Sequence, residues 1–340
     1  MKVAVWYGGK NIKIEERPVP EIFPDHALIK VKAVGLCGSE LHAFTGASQR
    51  RVPPLIMGHE FSGEIAEVGS LVKALKVGDK VAVEPIIGCG KCKQCLSGMT
   101  NICIDRKLIG MHMSGALAEY IVVPASKCHP IPEGLSLEEA TLGEPLGNAV
   151  RAVNQTNILP SDDVLILGSG VIGLLAIQVC RLHTGGKIIA TDVVDEKLEL
   201  AKKFGADYVI NSKKENVVER VMEITNGDGV DNSIEIVGHE EVISQAIAST
   251  KRGGTVTTVG LWQQMMNLDI MDLVSKEIRL QGHYGYTSAE YVASLKLMGA
   301  KKINVQPMIS KKFPLEKVVD AFEAMATQQT LKSIVLITSR

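Results

Sequence analysis

Aromatic residues make up only 4% of this 340-residue chain, and neither sign of charge prevails, with 37 Lys and Arg against 38 Asp and Glu. The first shortage removes the stacking platform that single-stranded nucleic acid requires. The second removes the basic stripe that phosphate backbones and anionic membranes attract. No Pro-, Gly- or Ser-rich linker, internal repeat or low-complexity run is present. The longest uncharged stretch, Val164–Cys180, is interrupted by Gly168, Gly170 and Gly173, and it falls short of the ~20 apolar residues of a membrane span. The opening Met1–Tyr7 alternates like a strand and has no apolar core of a signal peptide, so a cytoplasmic protein is expected. The length suggests two domains.

The seven cysteines are an odd number in a long chain, which argues against a disulfide framework. Four of them, Cys89, Cys92, Cys95 and Cys103, form C-x2-C-x2-C-x7-C. Thiolates at this spacing can close a tetrahedron around one zinc, and Gly88, Gly90 and Gly98 relax the backbone for it. A site closed by four thiolates has no open position, so it should stabilise a lobe and do no chemistry. A zinc-thiolate redox switch is the rival reading of the same four residues.

The texture changes near residue 146. Before it, short β-rich runs such as Ala27–Val34 and Phe61–Val68 are separated by Gly and Pro turns. After it, strands expected at 164–167, 187–191, 208–210, 233–237 and 255–259 alternate with helices from 171, over 195–204, 215–225 and 240–249. Such βα repeats require a parallel sheet covered on both faces. The tail adds a strand at 278–282, helices at 288–298 and 315–326, and a strand at 334–337 expected to return to the first domain. The fold class is therefore α/β: a β-rich domain, residues 1–147 and 286–340, interrupted by a doubly wound nucleotide-binding domain, 148–285. The cleft between the two is the expected active site.

Gly168-Ser169-Gly170-Val171-Ile172-Gly173 follows the apolar run Val164–Leu167 and opens a helix, the context that a dinucleotide fingerprint requires. Gly168 permits the turn, Gly170 lets backbone approach a pyrophosphate, and Gly173 allows close helix–strand packing. The N–H groups at the helix start, including those of Val171 and Ile172, would face the phosphates. Asp192 ends the next strand, where a carboxylate binds the ribose hydroxyls and repels a 2′-phosphate, which favours NAD over NADP. Lys197, one turn onward, is also placed to reach the ribose.

A second constellation joins Cys37 and Ser39 in Gly35–His42 to His59 and Glu60, with Glu144 in Gly143–Asn148 at the handover between domains. A thiolate, an imidazole and a carboxylate make an incomplete ligand set that leaves zinc a substrate position. On these residues the chain resembles the medium-chain zinc alcohol/polyol dehydrogenases. Gly58-His59-Glu60-x2-Gly63-x5-Gly69-x2-Val72 is similar to that family's zinc signature. The resemblance implies a GroES-like catalytic domain around a Rossmann domain, two zinc ions per chain, NAD, and a homodimer or homotetramer. It implies a catalytic zinc on Cys37, His59 and either Glu60 or Glu144, with Ser39 and His42 as proton relay. Glu144 in place of the cysteine of many relatives is similar to the sorbitol, butanediol and threonine dehydrogenase branch.

The implied reaction moves a hydride from a secondary alcohol to NAD. Ser39 would accept the alcohol proton and pass it toward His42 and solvent. Two ionised carboxylates beside Cys37 would leave the site at −1, so Glu60 and Glu144 are expected to alternate. Threonine oxidation is the alternative. Threonine dehydrogenases, however, usually carry an arginine shortly after a Tyr-Gly pair, whereas here Tyr284-Gly285 is followed by Tyr286. Loops around Phe44–Arg51, His112 and Trp262 are expected to line the substrate pocket. The apolar stretches 255–259 and 268–273 suggest an edge strand that pairs between subunits.

Overall fold

In a computed structural model of the chain, residues 1–261 and 265–338 are described, which leaves Trp262 outside the described residues. The chain divides into two compact units, Met1–Gly147 with Tyr286–Arg340, and Asn148–Gly285.

In the first unit, strands Cys128–Pro130, Lys80–Val83, Glu60–Val68, His26–Gly35, Lys332–Leu336 and Ile309–Pro314 lie side by side in that order, and Tyr120–Pro124 also pairs with His26–Gly35. The terminal strand does return to this unit, with Ile334 opposite Gly35. Alternation along His26–Gly35 sends Ala27, Ile29 and Val31 inward beside Phe61 and Val81. Phe44 and Phe322 stack in the same core with ring centroids 4.9 Å apart. The expected helix over 315–326 begins as a 3₁₀ turn, Leu315–Lys317, and becomes regular over Val318–Ala326.

Gly35 shapes the site. It lies opposite Glu60 in one neighbouring strand and opposite Ile334 in the other. A Cβ on Gly35 would come within 2.7 Å of Glu60 Oε2 and 3.0 Å of Lys332 Cε. The missing side chain is the space in which those two residues meet.

The second unit is a six-stranded parallel sheet in the order Tyr208–Asn211, Ile188–Asp192, Val164–Leu167, Val230–Glu235, Thr250–Thr258, Arg279–Gly282. Val164–Leu167 is wholly buried, as expected of a central parallel strand covered on both faces. Strand order reverses on either side of it, which is where doubly wound sheets open for ligands. Two expectations need correction. The strand read at 233–237 runs from Val230, because Asn232 satisfies its amide with Asp162 at 2.8 Å and can occupy a buried strand. The stretch 255–259 is not an edge: it lies between Val230–Glu235 and Arg279–Gly282, and Ile270–Ser275 is a helix. The edge strand on that side is Arg279–Gly282. Among the described residues, no helix is long and apolar enough to cross a membrane.

Candidate metal and nucleotide sites

Cys37 is the residue before the helix Gly38–Phe44, and His59 and Glu60 stand at the start of Glu60–Val68. Their donor atoms lie within 4.8 Å of one another, two of the three residues are buried, and among the described residues no fourth side chain closes the group. Glu40 organises this set. Its Oε1 lies 2.7 Å from His59 Nδ1 and accepts the Gly58 N–H at 2.8 Å, while Oε2 accepts the Cys37 N–H at 3.2 Å. A carboxylate on Nδ1 fixes the proton there and leaves Nε2 as a lone pair for a metal. Thiolate, imidazole and carboxylate with an open position are what a catalytic zinc takes, so the residues fit the ion. Burial alone would raise the Glu40 carboxyl, but His59, Arg51 and the Cys37 N–H hold it down at about 2.

Glu144 lies in the first turn of Gly143–Thr156, buried, and Tyr286 Oη donates to its Oε1 at 3.1 Å. Gly147 leaves room for that ring, since a Cβ there would meet it at 3.0 Å. Burial, and then the Glu60 charge, raise the Glu144 carboxyl to about 7, against the pull of His59 and Lys332. Sequence reasoning missed the group that changes the charge argument. Lys332 Nζ is buried against Glu60 Oε2 and donates to the Leu36 carbonyl at 3.0 Å. With its ammonium present, Cys37, Glu60 and Glu144 can all be ionised around a divalent ion without leaving a net charge. The expectation that two carboxylates must leave the site at −1 is thereby corrected.

Ser39 Oγ donates to Cys37 Sγ at 3.4 Å, and His42 lies exposed further along the same helix. Arg51, at the end of the loop Phe44–Arg51, is buried and donates to the Ser39 carbonyl at 2.8 Å. Glu40 carries a sequence signal, an acidic residue three positions past a helix-opening Cys37, as in a capping box. Lys332 carries none, being 272 positions from its partner.

Cys89, Cys92, Cys95 and Cys103 bring their sulfurs within 4.8 Å of one another. The N–H of Cys89 points to Cys103 Sγ at 3.3 Å and that of Cys95 to Cys92 Sγ at 3.5 Å. Backbone N–H groups of Lys91 and Cys92 draw the Cys89 thiol down to about 6, which favours a thiolate there, whereas burial pushes the Cys95 thiol up to about 11. A Cβ on Gly88 would sit 2.7 Å from Cys95 Sγ. This set also fits zinc.

In the second unit Gly168 has φ +103°, and a Cβ on Gly173 would lie 1.8 Å from the Gly168 carbonyl, so no other residue fits there. Gly170 precedes the helix Val171–Arg181, whose first turn contains Val171 and Ile172. Asp192 ends its strand and braces this loop: Oδ2 accepts the Ser169 N–H at 2.9 Å, and Oδ1 accepts those of Val193 and Val194 at 2.8 and 3.0 Å. Lys197 Nζ lies 3.6 Å from Oδ1. The tight turn, the helix start and the carboxylate on the neighbouring strand fit a dinucleotide.

Comparison with known proteins agrees. Residues 23–133 match the alcohol dehydrogenase GroES-like domain and residues 171–300 the zinc-binding dehydrogenase domain. Sorbitol dehydrogenase of Bacillus subtilis (strain 168) is 38% identical over 95% of this chain and 93% of its own length. L-threonine 3-dehydrogenase of Pyrococcus horikoshii is 38% identical over 99% and 97%. The crystal structure of 2R,3R-butanediol dehydrogenase from Bacillus subtilis superposes with a TM-score of 0.91 at 32% identity, covering 98% of this chain and 99% of that one. The chain belongs to the zinc-dependent medium-chain alcohol/polyol dehydrogenase family. It is an alcohol/polyol oxidoreductase with zinc and a nucleotide as cofactors.

Proposed function

We propose that this enzyme oxidises secondary alcohols of the polyol or diol type with NAD, reversibly, using one catalytic and one structural zinc per chain. Catalysis is assigned to 1–147 with 286–340, and NAD binding to 148–285. The observation that carries the reading is the open donor set Cys37, His59 and Glu60, oriented by Glu40, in a chain that also holds Asp192 beside the glycine loop. Zinc held there supplies a Lewis acid that favours the ionised form of the substrate hydroxyl. NAD, when bound, accepts the hydride, and Asp192 gives NAD preference over NADP by receiving the ribose hydroxyls and repelling a 2′-phosphate.

The chain's own residues do the rest. Glu40 keeps His59 in one tautomer, and Lys332 balances the Glu60 charge. Glu60 is the third zinc donor, and Glu144, tethered by Tyr286, waits close by to exchange with it. Ser39 takes the substrate proton and His42 releases it to solvent. Lys197 supports Asp192 at the ribose. Cys89, Cys92, Cys95 and Cys103 hold the structural ion.

Tyr286 favours a neutral alcohol over threonine, because a buried phenol on Glu144 offers no charge to a substrate carboxylate. A dimer or tetramer is supported by exposed apolar side chains on the edge strand and helix of the second unit, Leu280, Met271 and Val274. Reduced thiolates as zinc ligands support a cytoplasmic setting. The test is a panel of polyols, diols, simple secondary alcohols and threonine with NAD, read by NADH absorbance. Turnover of polyols or diols is expected, and exclusive turnover of threonine would overturn the substrate class.

A further inference from the structure

Arg51 and Arg50 are neighbours with opposite fates: Arg50 is exposed, whereas Arg51 is 5% exposed. The Arg51 guanidinium is held by three acceptors. Nε donates to the Gly110 carbonyl at 3.0 Å, Nη1 to the Ser39 carbonyl at 2.8 Å, and Nη2 to Ser39 Oγ at 3.3 Å, with Glu40 Oε1 4.0 Å from Nη2. Two backbone carbonyls thus fix the plane of the fork, and its remaining corner is aimed at the relay hydroxyl. We infer that Arg51 is a positioning residue for proton transfer: it orients the Ser39 hydroxyl that receives the substrate proton. The inference rests on the proposed dehydrogenase reading.

Counting donors and acceptors gives the reason. A serine hydroxyl has one proton to give and two lone pairs, whereas a guanidinium can only donate and keeps its charge. Arg51 therefore occupies one lone pair of Ser39 Oγ and turns the hydroxyl proton away from itself. One lone pair remains for the substrate. As the substrate O–H bond breaks, its proton forms a new O–H bond at Oγ, and the original Ser39 proton, which points to Cys37 Sγ at 3.4 Å in this structure, breaks from Oγ and is taken by the imidazole of His42, the relay's end toward solvent. Ser39 is neutral before and after, while the electron pair of the substrate C–H bond departs as hydride to the nicotinamide. The fixed positive charge disfavours any protonated intermediate at Oγ, so arrival and departure are coupled. Without Arg51 the hydroxyl keeps only its long contact to Cys37 Sγ, and the same transfer must wait for the productive rotamer.

The test uses the zinc-loaded full chain and the variants Arg51→Met, Arg51→Lys and Arg51→Ala. Arg51→Met is expected to lower kcat on the order of ten- to hundredfold, at or below the usual contribution of an acid–base group. KM for the alcohol should change by no more than about twofold, with zinc content and NADH binding retained. The solvent deuterium isotope effect on kcat should rise, because proton transfer becomes limiting. Guanidinium ion added to Arg51→Ala should restore rate, and urea should not. Wild-type kcat and isotope effect in Arg51→Met would overturn the inference. So would a rate loss that follows loss of zinc or of folded protein with the isotope effect unchanged, since that is the behaviour of a structural tie.

If Arg51→Met does not fold, Arg51→Lys decides, because lysine cannot reach all three acceptors together. Slower turnover with a raised isotope effect supports the inference, and wild-type values in both overturn it. An independent reading comes from selective ¹⁵N labelling of arginine. The Arg51 Nη2 protons should exchange slowly and their signal should shift in Ser39→Ala, and an unshifted Nη2 signal would contradict the contact. This arm holds even if the wild type oxidises no alcohol, a result that would instead defeat the functional reading.

Discussion

Glu40 Oε1 lies 2.7 Å from His59 Nδ1, and the same carboxylate receives the N–H groups of Gly58 and Cys37. One buried side chain thus sets both the tautomer of the imidazole and the approach of the thiolate. Glu40→Ala should weaken catalytic zinc binding about ten- to hundredfold, the usual cost of losing such an outer partner. Competition with a chelator measures this directly. Unchanged affinity would mean that the backbone alone orients His59.

Lys332 and Glu60 are both about as buried as the core around them, at 2% and 1% exposure. Removing the cation alone leaves a carboxylate without its counter-charge. Lys332→Met should therefore destabilise the fold by about 3–5 kcal/mol. Adding Glu60→Gln should recover much of that stability without recovering turnover. Denaturant midpoints of the two variants check it, and equal midpoints would contradict it.

The parts of this site that are local along the chain are legible in the amino-acid sequence alone. The cysteine spacing, the glycine loop after Val164–Leu167 and the pairing of His59 with Glu60 are short patterns with a chemical reason. So are the alternating strands and helices of the second unit, because each buries a continuous apolar run. What escapes such reading is assembled by the sheet. Lys332 meets Glu60 only because both flank Gly35 across two antiparallel pairings. Arg51 reads as a loop residue, since nothing near it in sequence foretells three buried acceptors. Thr255–Thr258 reads as an edge because its partner strand, Arg279–Gly282, is short and half polar.

His283 offers a pH test in the second unit. Burial, and then the Arg151 charge, lower its imidazole from the ordinary 6.5 to about 4, and its Nδ1 lies 3.0 Å from Gln155 Oε1. The neutral form is the folded one, so between these values the unfolded chain binds more protons. Stability must then rise with pH through this window and fall on acidification. From pH 7 to pH 5 the His283 contribution should drop by about 2 kcal/mol. His283→Asn should flatten that slope, as measured by denaturant unfolding at the two pH values. An unchanged slope would show that the imidazole titrates normally.

Cofactor choice tests the second unit's role. Asp192 braces Ser169, Val193 and Val194 and stands where the ribose is expected. Asp192→Ala should raise KM for NAD and improve the relative use of NADP, because an acceptor and a source of repulsion vanish together. Wild-type preference for NADP at equal concentrations would refute the assignment.

The central claim, that Cys37 belongs to the catalytic zinc while the four-cysteine cluster is structural, is tested most directly by metal analysis of Cys37→Ser beside Cys95→Ser. Cys37→Ser is expected to fold, keep one of its two zinc ions and lose alcohol oxidation, whereas Cys95→Ser should lose stability first. A Cys37→Ser protein that keeps both its zinc and its turnover would contradict the claim.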